Sequence, residues 1–124
     1  TVILDSDVAS IRVSPSDRET YRRAAGLLEL HASGEYVFAG PDAPELYVLA
    51  RRKNPTRALF DFVDMSDSAR GASLVRTLRE REVTAIAING RPDFSPPLDA
   101  ATVRRLQALY PQHAEVGRFD VRWR

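Results

Sequence analysis

Residues 83–88 read VTAIAI, and they constrain the fold more than any other stretch of the chain. A short run that is apolar at successive positions and contains β-branched residues is typical of a strand that is buried on both faces of its sheet. Such a strand needs helices packed above and below it. Because 44% of the 124 residues are hydrophobic, the chain has enough apolar side chains to build that core.

The remaining pattern predicts strands and helices in alternation. Helical spacing of apolar residues, capping residues and breakers predict helices at about 17–32, at about 43–51, from Ser66 or Asp67 onward, and at about 99–109. Short β-favouring runs predict strands at 36–38, 58–63, 83–88 and about 115–123.

This alternation predicts a single α/β domain over residues 1–124. Right-handed βαβ units indicate a three-layer sandwich whose central sheet is mostly parallel, in a Rossmann-like arrangement. The last segment alternates apolar and polar residues, which favours an antiparallel strand at the C-terminal edge of the sheet.

Composition excludes several classes of site. The chain has no cysteine, so thiolate metal sites and cysteine nucleophiles are excluded, and its two histidines lie far apart without metal-binding spacing. We therefore predict no metal and no cofactor. The net charge is +1, and the arginines are interleaved with acidic residues, which argues against a nucleic-acid partner.

Two loops follow predicted strands and are the candidate ligand site. Ligands of open α/β sheets bind outside the carboxyl ends of the strands, where Asp42 and Glu45 follow one strand, and Asn89 and Arg91 follow another. These four side chains are candidates for ligand binding or for acid and base chemistry. The alternative is structural, because Asp42 and Glu45 have the spacing of a capping box at the start of the next helix.

A basic patch, defined as Arg51, Arg52, Lys53 and Arg57, follows that helix. Arginine binds phosphate through two donors, so the patch could hold a phosphate or a lipid headgroup. The alternative is that these cations only complement the dipole at the helix C-terminus.

The runs GEYVFAGPDAPELYVLARRKNPTRALFDFVD, AINGRPDFSPPL and YPQHAEVGRFDVRWR occur in this order. Together they resemble the C-terminal extramembrane tail of bacterial membrane glycosyltransferases of the protein-mannosyltransferase and aminoarabinose-transferase type. The resemblance implies a domain on the extracytoplasmic side of the membrane, attached to a membrane portion that uses a polyprenyl-phosphate-linked sugar. The family's catalytic residues lie in that membrane portion, so the resemblance assigns no catalytic residue here.

Three hypotheses follow. The first is a non-catalytic accessory domain of such a glycosyltransferase, whose partners are the membrane portion of the same chain and possible contacts with lipid headgroups or the glycan acceptor. The start at Thr1 and the single methionine, Met65, lead us to expect a fragment of a longer protein. The second is a small independent α/β enzyme or sugar- or phosphate-binding domain, and the third is a protein-docking or self-association module.

Overall fold

The computed structural model describes residues 2–3, 12–13, 15–56, 67–93 and 95–124. The described helices are α1 (Pro15–His31), α2 (Pro44–Ala50), α3 (Asp67–Glu80) and α4 (Ala100–Leu109). The described strands are β1 (Val2–Ile3), β2 (Arg12–Val13), β3 (Phe38–Gly40), β4 (Ala85–Asn89), β5 (Gln112–Val116) and β6 (Phe119–Trp123). The predicted strand at 58–63 and Arg57 lie outside the described residues.

The central sheet has the strand order β3-β4-β6-β5. Strands β3 and β4 are parallel, whereas β6 is antiparallel to both β4 and β5. Strands β1 and β2 form a separate antiparallel pair. The α/β class is therefore confirmed, but the predicted predominance of parallel strands is wrong for the described part of the sheet, which is mixed.

The C-terminal segment forms a hairpin where one strand was predicted. Gly117 has a φ of 58°, a left-handed conformation that glycine adopts without strain, and it turns β5 into β6. Strand β6 then lies inside the sheet, and β5 forms its edge. The antiparallel prediction is confirmed, but the edge position belongs only to the first half of the segment.

Both faces of the central sheet are covered by helices. Alternate residues of β4 point to opposite faces, so Ala85 and Ala87 pack with α1 and α2, while Ile86 and Ile88 pack with α3 and α4. Every residue of β4 is buried, as the apolar run predicts. The small side chains of Ala85 and Ala87 let α1 approach its face of the sheet more closely than isoleucines would permit.

The ends of the helices differ from their predicted positions. Helix α1 begins at Pro15, so Ser16 lies inside it. The N-cap residue of α2 is Ala43, without a side-chain cap, so the predicted role of Asp42 as the cap of α2 is wrong. Asp99 does cap α4, as predicted, by accepting a hydrogen bond from the Thr102 amide at 3.3 Å.

Helices α3 and α4 cross closely at Gly71. A Cβ atom at this position would lie far inside the van der Waals contact distance from Thr102 Oγ1. The Thr102 hydroxyl is held in place because it donates a hydrogen bond to Asp99 Oδ1. The glycine therefore permits the contact between the two helices.

Among the described helices, none combines the length and the apolar character needed to cross a membrane.

Candidate functional site

The two predicted loops meet at the ends of β3 and β4. Parallel pairing places Gly40 beside Ile88, so both chains leave the sheet at the same edge. Asn89, only 2% exposed, donates a hydrogen bond from Nδ2 to the Pro41 carbonyl at 2.9 Å, and its Oδ1 accepts one from the Arg91 amide at 3.0 Å. The Asn89 side chain thus joins the loop after β3 to the loop after β4.

Asp42 makes a second connection between distant loops. Its carboxylate accepts hydrogen bonds from the Ser95 amide at 2.6 Å and from the Ser95 hydroxyl at 2.7 Å. The backbone of Asp42 has a φ of 56°, in the left-handed region that aspartate tolerates better than most residues. The sequence predicted Asp42 either as a ligand-binding residue or as a helix cap, whereas its carboxylate binds a loop that lies 53 residues later.

Glu45 lies on the side of α2 that faces α1. Its Oε2 atom is buried and makes no hydrogen bond within the described structure. Burial raises the pKa of the Tyr21 phenol, the positive charge of Arg118 lowers it, and the negative charge of Glu45 raises it further. The charge of Glu45 therefore acts on Tyr21, whereas Asp42 and Asn89 bond to the loops.

Arg91 points into a different cleft from Asp42. Together with Asp17, Asp93 and Arg118 it lines a cleft of about 370 Å³. Arg118 forms ion pairs there with Asp93 at 3.3 Å and with Asp17 at 3.9 Å. Because acidic and basic side chains alternate around this cleft, its charge does not favour an anion.

A cleft of about 320 Å³ opens beside Asp42 and is mainly apolar. Its polar groups are Asp42, Tyr47, Asn54, Thr56 and Ser95. The Tyr47 hydroxyl accepts a hydrogen bond from the Ala39 amide at 2.9 Å, and burial raises the pKa of Tyr47 well above its usual value. Such a tyrosine stays neutral at physiological pH and can still donate its own proton to a ligand.

Two of these cleft residues carry a sequence signal that our prediction did not use. Asn54 Oδ1 accepts hydrogen bonds from the Thr56 amide at 2.8 Å and from its hydroxyl at 2.7 Å. This is the Asx turn that an Asn followed by Pro and Thr favours. Ser95 has no comparable signal, because its role depends on a contact with a distant residue.

The described members of the basic patch point to different partners. The Arg52 guanidinium bends back and donates to the carbonyls of Ala50 and Arg51, at 3.3 and 3.1 Å. Lys53 pairs with Glu35 at 3.4 Å, and Arg51 is exposed with a φ of 56°. Arg52 therefore stabilises the C-terminus of α2 through hydrogen bonds to carbonyls at its end.

Metal-binding side chains do not cluster in the part of the chain that the structure describes: no three histidine, aspartate or glutamate side chains are grouped so that they could hold a metal ion. The His31 ring instead stacks on Trp123, with centroids 3.9 Å apart.

Comparisons with protein-family models, with curated proteins and with solved structures found no match. The fold and the two loops define an α/β domain whose strand-end residues bond mainly to its own backbone.

Proposed function

We propose that this chain is a non-catalytic accessory domain of a membrane glycosyltransferase that uses a polyprenyl-phosphate-linked sugar. The observation that carries the proposal is the bonding of the candidate site residues. Asn89 joins the two strand-end loops, and Asp42 holds Ser95, so both side chains have structural partners at the place where an α/β enzyme usually binds its substrate.

The proposal takes its family from the resemblance of the sequence, and it places the domain outside the cytoplasmic membrane beside the membrane portion of the same chain. Contacts with lipid headgroups or with the glycan acceptor are part of the proposal, and the exposed Arg51 is the member of the basic patch proposed to make them. The three-layer, Rossmann-like arrangement is also retained as a proposal. Helices on both sheet faces support it, and the antiparallel pairs limit the likeness.

The test compares the full-length transferase with a version that lacks this domain. We expect the shortened enzyme to retain the chemical step while acceptor choice, turnover or protein level changes, because the catalytic residues of the family lie elsewhere. If activity, acceptor choice and protein level were all unchanged, the accessory role would be wrong. An Arg51→Ser variant of this chain tests the lipid contact separately, because its partition onto anionic vesicles can be compared with that of the native chain.

The cleft beside Asp42 supports a second candidate, a domain that binds a sugar or a sugar phosphate. A volume of about 320 Å³ lies at the lower end of the range for small-molecule sites, and apolar walls with a few polar groups are typical of them. Isothermal titration of the chain with sugar phosphates, with and without Mg²⁺, separates the two candidates. Saturable binding that is lost in Tyr47→Phe would favour the second.

A further inference from the structure

The outer edge of β5 carries a self-complementary pattern of backbone groups and charges. Strand β6 is the only one of the described strands that pairs with β5. Unpaired N–H and C=O groups along the edge of a sheet are a template for another strand. The hydrogen bonds between β6 and β4 show which residues of β5 present those groups.

The hydrogen bonds between β4 and β6 fix the direction of every backbone group in β5. The Gly90 amide donates to the Arg118 carbonyl at 2.8 Å, and the Arg124 amide donates to the Thr84 carbonyl at 3.1 Å. Even-numbered residues of β6 therefore bond to β4, and odd-numbered residues bond to β5. By the register of the hairpin, Gln112, Ala114 and Val116 bond to β6.

The intervening residues, His113 and Glu115, consequently direct their N–H and C=O groups away from β6. An antiparallel strand on that side would form hydrogen-bonded pairs with these two residues and would place Ala114 in a non-hydrogen-bonded pair between them. Both residues are exposed, and neither is proline, which would lack the donor.

We propose that β5 pairs with β5 of a second copy of this chain, antiparallel about a two-fold axis at Ala114. In this register each His113 lies opposite Glu115 of the other copy, so four backbone hydrogen bonds form and the same complementary pair occurs twice. Ala114 meets its own counterpart across the axis, where a small side chain leaves room. The two four-stranded sheets become continuous through the interface.

The charges around β5 favour this partner. Within one copy, Glu115 lies directly opposite Asp120, and like charges at opposed positions in a sheet are destabilising. His113 and Arg122 approach Asp120, at 4.0 and 3.7 Å, and both lie on the same sheet face as Glu115. A second copy brings His113 to Glu115, which places a hydrogen-bond donor, and a cation when protonated, beside the crowded carboxylates.

The interface is small, so association is weak and depends on concentration. A contact that consists of one edge strand from each copy is expected to bury less than about 1,200 Å², the range of transient complexes. This contact is independent of the accessory role proposed above, since it would form whether or not the domain belongs to a transferase.

A cysteine at the two-fold axis tests the register directly. The chain has no native cysteine, so Ala114→Cys can form only a disulfide between copies. The Cα atoms of a non-hydrogen-bonded antiparallel pair lie about 4.5 Å apart, a separation that a disulfide spans. We expect Ala114→Cys to cross-link at least about tenfold faster than Ala72→Cys, an exposed control on α3, because only the first is held in register. Equal rates would overturn the proposal.

A second experiment reverses the charges on β5 and measures association of the chain by sedimentation equilibrium near pH 6. His113→Glu places two glutamates opposite each other twice and should weaken association by about tenfold. Adding Glu115→His restores both pairs in reversed order and should recover the association of the native chain. Gln107→Glu, at an exposed position of α4, is the control for net charge, because it also adds one negative charge. Failure of the double variant to recover, or a monomeric native chain at about 1 mM, where weak interfaces associate, would contradict the inference.

Discussion

Asp42 holds Ser95 by two hydrogen bonds, of 2.6 and 2.7 Å, although the two residues lie 53 positions apart. The same carboxylate belongs to a residue with a left-handed backbone. The contact fixes the loop after β4 against the loop after β3 and forms one wall of the cleft beside Asp42. This acidic side chain therefore contributes both to the stability of the domain and to the shape of the cleft.

We predict that Asp42→Ala lowers the free energy of unfolding by about 2 kcal/mol, because hydrogen bonds to a charged acceptor are lost and alanine disfavours a positive φ. The measurement is urea unfolding at neutral pH. Asp93→Ala is the matched control in the same loop region, since that carboxylate is exposed and, among the described residues, pairs with Arg118 alone, and it should cost less than about 1 kcal/mol. Equal losses in both variants would show that Asp42 has no special structural role.

Replacement of glycine by alanine should have opposite effects at Gly71, in the contact between α3 and α4, and at Gly26, on α1. Gly71→Ala should destabilise the domain by about 1 to 3 kcal/mol, because the new methyl group collides with Thr102 and the two helices must separate. Gly26→Ala on α1 has nothing within 4 Å of the new Cβ, so it should stabilise by up to about 1 kcal/mol. Thermal unfolding of both variants measures the difference.

Thr102 provides the internal check on that collision. If the clash is with its hydroxyl, the cost of Gly71→Ala should fall in a Thr102→Ala background, although Thr102→Ala alone loses the bond to Asp99. A double-mutant cycle measures this coupling. Strictly additive effects would place the strain of Gly71→Ala elsewhere.

Replacement of Glu82 by glycine is expected to stabilise the protein. Its φ is 53°, and the amides of Glu82 and Val83 bond back to the carbonyls of Arg79 and Leu78 at the end of α3. Glycine is favoured at such a position, so Glu82→Gly should raise the free energy of unfolding by about 0.5 to 1 kcal/mol. Glu80→Gly, in the last turn of the same helix, should instead lower it by about 0.5 to 1 kcal/mol. Chemical denaturation of the pair compares the two signs.

Local signals in the sequence predicted the elements well and the connections between them poorly. The apolar run in β4 and the cap at Asp99 depend on neighbouring residues, and both were confirmed. Wrong predictions came from long-range choices. The alternation of helices and strands favours parallel pairing, but Gly117 reverses the chain and inserts β6 beside β4, so the described sheet is mixed.

The candidate site shows the same division. The sequence predicted that Asp42 and Asn89 follow strand ends, and the parallel pairing of β3 with β4 in the structure brings those ends together, so that Asn89 bonds to Pro41. The partner of Asp42 was not predictable, because an aspartate at this position could equally cap the next helix or bond to a distant loop. The local sequence does not distinguish these two uses of the carboxylate. The helical spacing of apolar residues in α3 predicts that Ala72 is buried together with Val75, but Ala72 is exposed, because the helix turns Ser73 and Leu74 toward the core.

Tyr47 predicts how stability changes at alkaline pH. Burial raises the pKa of Tyr47 in the folded protein, and the same cause raises those of Tyr21 and Tyr110. The unfolded chain releases these protons near pH 10, whereas the folded protein retains them, so the unfolded state binds fewer protons above about pH 10. The titration of these tyrosines should therefore leave the free energy of unfolding unchanged below that pH and lower it as the pH rises through 10 to 11. Tyr47→Phe should reduce this slope, while at pH 7 it should cost about 1 to 2 kcal/mol, because the buried Ala39 amide loses its acceptor. Tyr36→Phe is the matched control, since its hydroxyl accepts a hydrogen bond from the exposed Arg81, and it should change neither quantity by much. Urea unfolding from pH 7 to 11 measures both effects, and an unchanged alkaline slope in Tyr47→Phe would show that this phenol is accessible to solvent in the folded protein.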